Sequence, residues 1–392
     1  MELMAITNNT TFEQFLAGIP VPVEPAAIER ELASMWKPAS EQTSVDASTA
    51  VTRVCLANLV VIGDVANNAW HADTLQKLSA RFPCRVLWLQ IDPANTDAVL
   101  TADVTALCHL PSPGNPQVCS ELITLHSGHR NADKLPGAVL PLLEPDLPVV
   151  LWWAVAADAE TALFDALSEL ADRVIVHAEP LANPTLRMMS AAPSLRLCLR
   201  EHAADKATIM IWHTMSHWRE LTAQCFDPLQ LRDALRLIDT VTVHYATPSG
   251  GPTATLPAAL YAGWLAGQLQ WTPVAREVTP ESVRATFTAG SRRVAVELLA
   301  QTTSQLAPGR LTLVDIAAEF GPVQATFHLA RVIGERTEIR QTFCLSEACT
   351  LLKSLPVINH DEATLLGAAI ESQSAARVFP RAAKMALWLL EG

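Results

Sequence analysis

The chain has 392 residues, 50% of them hydrophobic and only 17% charged, with a formal net charge of −12. That balance excludes a largely disordered chain, and the length allows two domains, each with a full core. The acidity argues against nucleic acid or an anionic membrane as partner, because both are gripped by basic residues.

Residues Met1 to Val23 read as an arm, without the basic and apolar regions of a signal peptide. Pro25 opens a helix through Trp36 with Ile28, Leu32 and Met35 on one face, and Lys37 to Ala50 reads as a polar linker. Thr52 to Ile62 is a buried first strand, followed by a helix over His71 to Arg81 and a strand over Arg85 to Ile91. Val99 to Leu110 and Gln117 to His126 read as strands joined by a Pro-Gly turn, and Pro136 opens a short helix to Leu140.

Pro148 to Trp153 is an unbroken apolar run, the pattern of a strand covered on both faces in a parallel sheet. Asp158 or a neighbour can cap the next helix, where Leu163, Phe164, Leu167 and Leu170 recur at helical spacing. Val174 to Val176 then closes a β-α-β unit whose crossover is expected to be right-handed.

After Pro180, Pro184 and Pro193 mark connections, Leu229 to Ile238 reads as a helix and Val241 to Tyr245 as a strand. Leu256 to Leu269 is apolar nearly all round and should be a buried helix. From Pro273 the runs Arg293 to Ala300, Leu311 to Ile316, Val323 to Arg331 and Thr337 to Leu345 predict an antiparallel sheet with one wetter face. Helices over Asp361 to Glu371 and Ser374 to Leu390 finish the chain. The expected fold class is α/β: a mostly parallel, Rossmann-like sheet with helices on both faces, then an α+β domain with an antiparallel sheet. The expected boundaries are 1–50 for the arm and first helix, 51–180 for the α/β domain, 181–272 for a helical connecting region and 273–392 for the α+β domain.

The usual catalytic and cofactor signatures are missing from the sequence. The first strand ends in LVVIGDVANN, with one glycine and Asp64 where a dinucleotide fingerprint would have a glycine-rich turn. There is no phosphate-binding G-x-x-x-x-G-K-[ST] loop and no G-x-S-x-G elbow. His213 and His217 are spaced to share a helix face, but Thr214 stands where a metalloprotease helix needs Glu, so an ordinary polar face outweighs a metal site. His126 and His129 are weighed the same way. No cofactor and no metal are therefore expected.

The eight cysteines are scattered, with no C-x-x-C; Cys55, Cys84, Cys108, Cys119 and Cys198 sit in or beside apolar runs. Reduced, buried thiols in a cytoplasmic protein are expected. Cys344 and Cys349 are the closest pair, read as two unrelated thiols in preference to a redox switch. Trp152 and Trp153 end a central strand, where rings either pack under helices or face a partner. Trp212, Trp218, Arg219 and Glu220 are the other interface candidates, because Trp and Arg often dominate binding energy. The competing reading is an Arg–Glu pair that closes the fold internally.

Two stretches, PLLEPDLPVVLWW (Pro141 to Trp153) and ELADRVIV (Glu169 to Val176), resemble the OpcA family, the glucose-6-phosphate dehydrogenase assembly proteins. The strand from Thr52 and the segment IWHTMSHWRELTAQCFDP (Ile211 to Pro228) also resemble that family, although His217 stands where proline is usual. The resemblance implies a non-catalytic, cytoplasmic protein that binds glucose-6-phosphate dehydrogenase and activates it by favouring its active oligomer. It leaves self-association open. The alternative from another class is an enzyme or sensor holding a sugar phosphate at the strand ends, with Arg173 or Arg219 as the nearby cations.

Overall fold

The structure, a computed structural model, describes residues 21–22, 25–42, 51–92, 94, 100–109, 117–155, 161–177, 191–249, 255–320, 323–357, 360–372 and 375–391. The chain divides into two compact units: residues 1–177 with 362–371, and residues 178–361 with 372–392. Most of the expected arm, the Asp158 cap, the Pro-Gly turn, Pro180 and Pro184 lie outside the described residues.

The first unit contains β1 (Val21–Pro22), α1 (Pro25–Gln42), β2 (Val51–Arg53), β3 (Asn58–Asp64), α2 (Asn68–Ser79), β4 (Arg85–Asp92), β5 (Thr101–His109) and β6 (Gln117–Gly128). It continues with α3 (Leu135–Val139), β7 (Val149–Trp153), α4 (Thr161–Leu170) and β8 (Arg173–Val176). Its strands lie in the order β1-β5-β6-β4-β3-β7-β8, with β2 beside β6. Strands β6, β4, β3, β7 and β8 run parallel, and β5 is antiparallel to β6. β3 and β4 are buried along almost their whole lengths, which is why the sequence shows continuous apolar runs there.

The expected single strand from Thr52 to Ile62 is broken in two. β2 pairs with β6, whereas β3 pairs with β4 and β7. Since β4 lies between β3 and β6, one straight strand could not make both sets of bonds. The chain steps across at Cys55 to Ala57, and Leu56 N–H finds Pro83 O at 2.9 Å during the step. The first helix likewise runs on to Gln42, past the point where the linker was expected.

A buried ion cluster closes the amino ends of these strands. Arg85 is 3% exposed, and its guanidinium donates to Glu121 at 2.8 Å, Glu29 at 2.9 Å and Glu144 at 2.9 Å. Glu121 also accepts from Arg53 at 2.7 Å and from the indole of Trp36 at 3.0 Å. Nearby, the buried Asn58 side chain accepts from Glu144 N–H and donates to Glu144 O and Leu147 O. These bonds pin the proline-rich loop that leads into β7.

The second unit contains α5 (Ala191–Cys198), β9 (Ala207–Ile209), α6 (Met210–His213), α7 (Ser216–Gln224), α8 (Ala234–Leu237), β10 (Ile238–Thr247) and α9 (Leu256–Gln268). It continues with β11 (Thr272–Val278), β12 (Ser282–Ala289), β13 (Arg292–Thr302), β14 (Leu311–Phe320), β15 (Val323–Val332), β16 (Glu338–Leu345) and β17 (Ala348–Pro356). α10 (Glu362–Glu371) returns to the first unit, and α11 (Ala375–Leu390) completes the second. Eight strands form one sheet in the order β11-β12-β13-β10-β14-β15-β16-β17. All neighbours are antiparallel except β10 and β13. The helix expected over Leu229 to Ile238 is reduced to a 3-10 turn and the single turn of α8, because Ile238 is taken into β10 opposite Ala318.

α9 is buried on nearly every side, as its composition requires, and it lies very close to α11. A Cβ at Gly263 would stand 2.5 Å from Ala382 O and 2.8 Å from Ala386 N, so only glycine permits this approach. The expectation of uniformly reduced thiols is corrected in both units. Cys108 lies opposite Cys119 on β5 and β6, and Cys344 opposite Cys349 on β16 and β17, and each pair forms a disulfide. Direct cross-strand pairing brings together residues that looked unrelated in the sequence. Cys84, Cys198 and Cys225 are buried free thiols, and burial pushes each above its ordinary pKa.

Two substitutions test these supports by urea unfolding. Gly263→Ala should cost about 1–3 kcal/mol, because backbone atoms of α11 must give way. Arg85→Ala should cost about 3–5 kcal/mol, because it leaves Glu121 charged, buried and short of a partner. A loss below ~0.5 kcal/mol in either variant would contradict the packing described.

Candidate functional site

In an open α/β sheet, ligands bind outside the carboxyl ends of the strands. Here that region of the first unit is filled by rings. Trp70 and His71 come from the first turn of α2, Trp88 from β4, Trp152 from β7, and His177 follows β8. The Trp70 ring lies 4.8 Å from His71, 5.6 Å from Trp152 and 5.2 Å from His177. His71 lies 5.8 Å from both Trp88 and Trp152. Gly63, the one glycine at the end of β3, serves this packing, since a Cβ there would stand 2.9 Å from both the His71 ring and the Trp88 indole nitrogen.

Asp64 occupies the turn where a pyrophosphate would lie. Its carboxylate accepts from the Asn67 backbone N–H at 2.9 Å and from the Asn67 amide. A carboxylate already caps this turn, and large rings fill the space beyond it. The residues present therefore do not fit a dinucleotide.

The sequence-predicted residues lie as follows. Trp152 and Trp153 are fully buried and point to opposite faces of β7; Trp152 joins the ring cluster, and Trp153 packs edge-on against Phe164 of α4 at 5.1 Å. Trp212 is buried against Phe379, and Trp218 is buried in the second unit. Arg219 stacks over the Trp212 ring at 3.7 Å and donates to Trp212 O at 2.7 Å. Burial lowers its pKa to about 10. Glu220 is exposed and accepts from Gln224, one turn along α7. Arg219 and Glu220 do not form an ion pair.

The two cations suggested for a sugar phosphate are engaged elsewhere, Arg219 by Trp212 and Arg173 by Ala369 O at 3.0 Å. His213 and His217 do not share one helix face, because the chain breaks between α6 and α7 at Thr214 and Met215. Sequence reasoning missed Trp70, His71 and Trp88. Their only local signal was bulk beside the glycine of LVVIGDVANN.

These observations define a Rossmann-like α/β scaffold whose nucleotide crevice is packed with its own side chains. Residues 75–191 match the family of the glucose-6-phosphate dehydrogenase subunit N-terminal domain, and residues 206–383 match that of its C-terminal domain. The chain belongs to the OpcA family, as the strand and W-R-E-L motifs implied. It is 32% identical over 210 residues to a protein of Synechocystis sp. named OxPP cycle protein OpcA, covering 53% of this chain and 41% of that one. An OpcA of Nostoc punctiforme is 32% identical over 199 residues, covering 50% and 40%. The matched stretch thus spans about two fifths of these relatives. The fold is also similar to that of glucose-6-phosphate 1-dehydrogenase from Mycobacterium avium, at 11% identity and a TM-score of 0.50 over 86% of this chain and 90% of that one. No helix among the described residues is long and apolar enough to cross a membrane.

The ring cluster carries a pH signature. His71 is fully buried, and its contacts to Ala154 and Asn67 do not reach hydrogen-bonding geometry. Desolvation lowers its pKa from 6.5 to about 4, against the opposing pull of Asp64. The unfolded chain therefore takes up this proton first. Stability is unaffected above pH 6.5 and falls as pH drops from 6.5 toward 4, by about 3 kcal/mol in all. Melting temperatures between pH 7 and pH 4 should fall less steeply in His71→Gln than in the parent. Equal slopes would place the sensitivity elsewhere.

Proposed function

We propose that this chain is a non-catalytic, cytoplasmic assembly factor for glucose-6-phosphate dehydrogenase in the oxidative pentose phosphate pathway, acting by protein–protein binding that favours the active oligomer. The observation that carries this reading is the filled crevice: a dehydrogenase-like scaffold, in a chain of the OpcA family, whose own rings occupy the nucleotide position. Such a scaffold remains useful for the surface that it presents. Activation then requires tighter binding to the active state of the enzyme than to the inactive one.

Among the interface candidates, Glu220 is positioned to touch a partner, with Arg219 half-buried beside it. Within the second unit the buried ring of Trp212 backs this segment, with Arg219 stacked over it, and Trp218 is buried beside it, whereas Trp152 and Trp153 are buried in the first unit. A cleft of about 1150 Å³ also opens in the second unit, lined by Thr222, Ala223, Arg232, Arg236 and Trp264 and not by Glu220.

Mixing the purified chain with the dehydrogenase of its own host tests the proposal. Co-elution on size exclusion and a changed half-saturation for the sugar phosphate substrate are expected. Glu220→Arg should weaken co-elution at least tenfold without lowering the chain's melting temperature. Unchanged elution and kinetics with the parent chain would overturn the assembly role, and undiminished co-elution of Glu220→Arg would remove this face from the interface.

A further inference from the structure

The second unit carries two arginines whose charges no acid balances. Arg310 stands at the entry to β14, and Arg331 lies near the end of β15. Both are half-buried, and neither has an acidic partner among the described residues. Arg331 Nε is fixed by Leu311 O at 2.9 Å, and its guanidinium stands over the Trp218 ring, 5.6 Å from the centroid. The guanidinium edge not used by Leu311 remains to donate. Burial, and after it the like charge of Arg310, lowers the Arg331 pKa to about 10. A protein pays for such an arrangement only where something offsets it.

Both arginines line a small pocket of about 20 Å³ with His217, Thr214, Trp218, Ile339, Val357 and His360. His217 is in the first turn of α7. The Thr214 hydroxyl is already committed to Ile211 O at 2.8 Å, so the donors offered here are the two guanidinium groups and the His217 imidazole. The enclosed volume holds about one water-sized group.

We propose that this pocket binds a phosphoryl group, with Arg310 and Arg331 as its cationic clamp and His217 as an additional donor. A dianion matches two guanidinium charges, where one carboxylate would leave a net positive charge. Planar guanidinium groups present paired donors suited to phosphoryl oxygens. The small volume means that one oxygen reaches the floor while the others, and anything attached to them, stay at the mouth. This places the anion site in the second unit, whereas the ring cluster belongs to the first. Binding here does not require docking to a dehydrogenase.

Calorimetric titration of the full chain with inorganic phosphate, at constant ionic strength held with chloride, tests the site. Saturable binding is expected, with a matching rise in melting temperature. Arg310→Gln, which removes a side chain with no hydrogen bond to the fold and relieves the repulsion with Arg331, should weaken binding at least tenfold without lowering the melting temperature in phosphate-free buffer. Arg331→Lys keeps the charge but loses the paired donors and should weaken binding less. A second titration with a hexose 6-phosphate separates the sources. Tighter binding than inorganic phosphate identifies the group as carried on a larger molecule, and equal binding identifies free phosphate. No response beyond chloride in the parent chain, or parental affinity in Arg310→Gln, would overturn the site.

Discussion

A guanidinium held away from water must be met by carboxylates in fixed positions, and Arg85 imposes that demand on the whole amino end of the first sheet. Arg85 and Glu121 are directly paired residues on β4 and β6, so their ion pair and the strand register specify each other. A slip of one residue would put the two charges on opposite faces, each buried without the other. Glu29 brings α1 to the same point, and Glu144 brings the loop before β7. One cluster thereby orders the helix, the central strands and the entry to the most apolar strand.

With the amino ends fixed this way, the carboxyl ends take their form from packing. Parallel strands buried on both faces present Trp88 and Trp152 side by side across Val61, and Trp70 and His71 from α2 pack onto them toward the carboxyl end marked by Gly63. The same geometry that forms a nucleotide crevice in other sheets makes a closed core extension when the turn after β3 carries Asp64 and bulky rings. The second unit uses its sheet differently. α9 and α11 cover one face by an approach that only glycine permits, while β17 is exposed along nearly all of its length.

Much of the first unit was legible because buried strands write continuous apolar runs and α4 writes a clear helical period. The break at Cys55 was not legible, since it is caused by the position of β4 between β3 and β6, a fact of topology. β11 and β17 escaped notice because exposed edge strands carry weak alternation, whereas β12, an interior strand with alternating burial, was missed although Val283, Ala285 and Phe287 mark its inner face. The interface candidates were chosen by residue type, and type alone could not tell that Trp152, Trp153, Trp212 and Trp218 lie inside. Neither the ring cluster nor the pairing of Arg310 with Arg331 has a local signature, because each is assembled from segments far apart in sequence. The disulfides share that origin: strand register, and nothing in the spacing of the cysteines, sets Cys108 against Cys119.

The discontinuity of the first unit has a consequence for how the molecule is made. α10 belongs with strands and helices laid down near the start of the chain: Arg81 on the turn after α2 donates to Thr364, Arg173 donates to Ala369 O, and the Leu78 side chain lies over Gly367. During synthesis on the ribosome this segment emerges only after almost all of the second unit. The nascent first unit must therefore wait with one flank of α2 and β8 uncovered, and its last layer closes only once residues 362–371 have emerged.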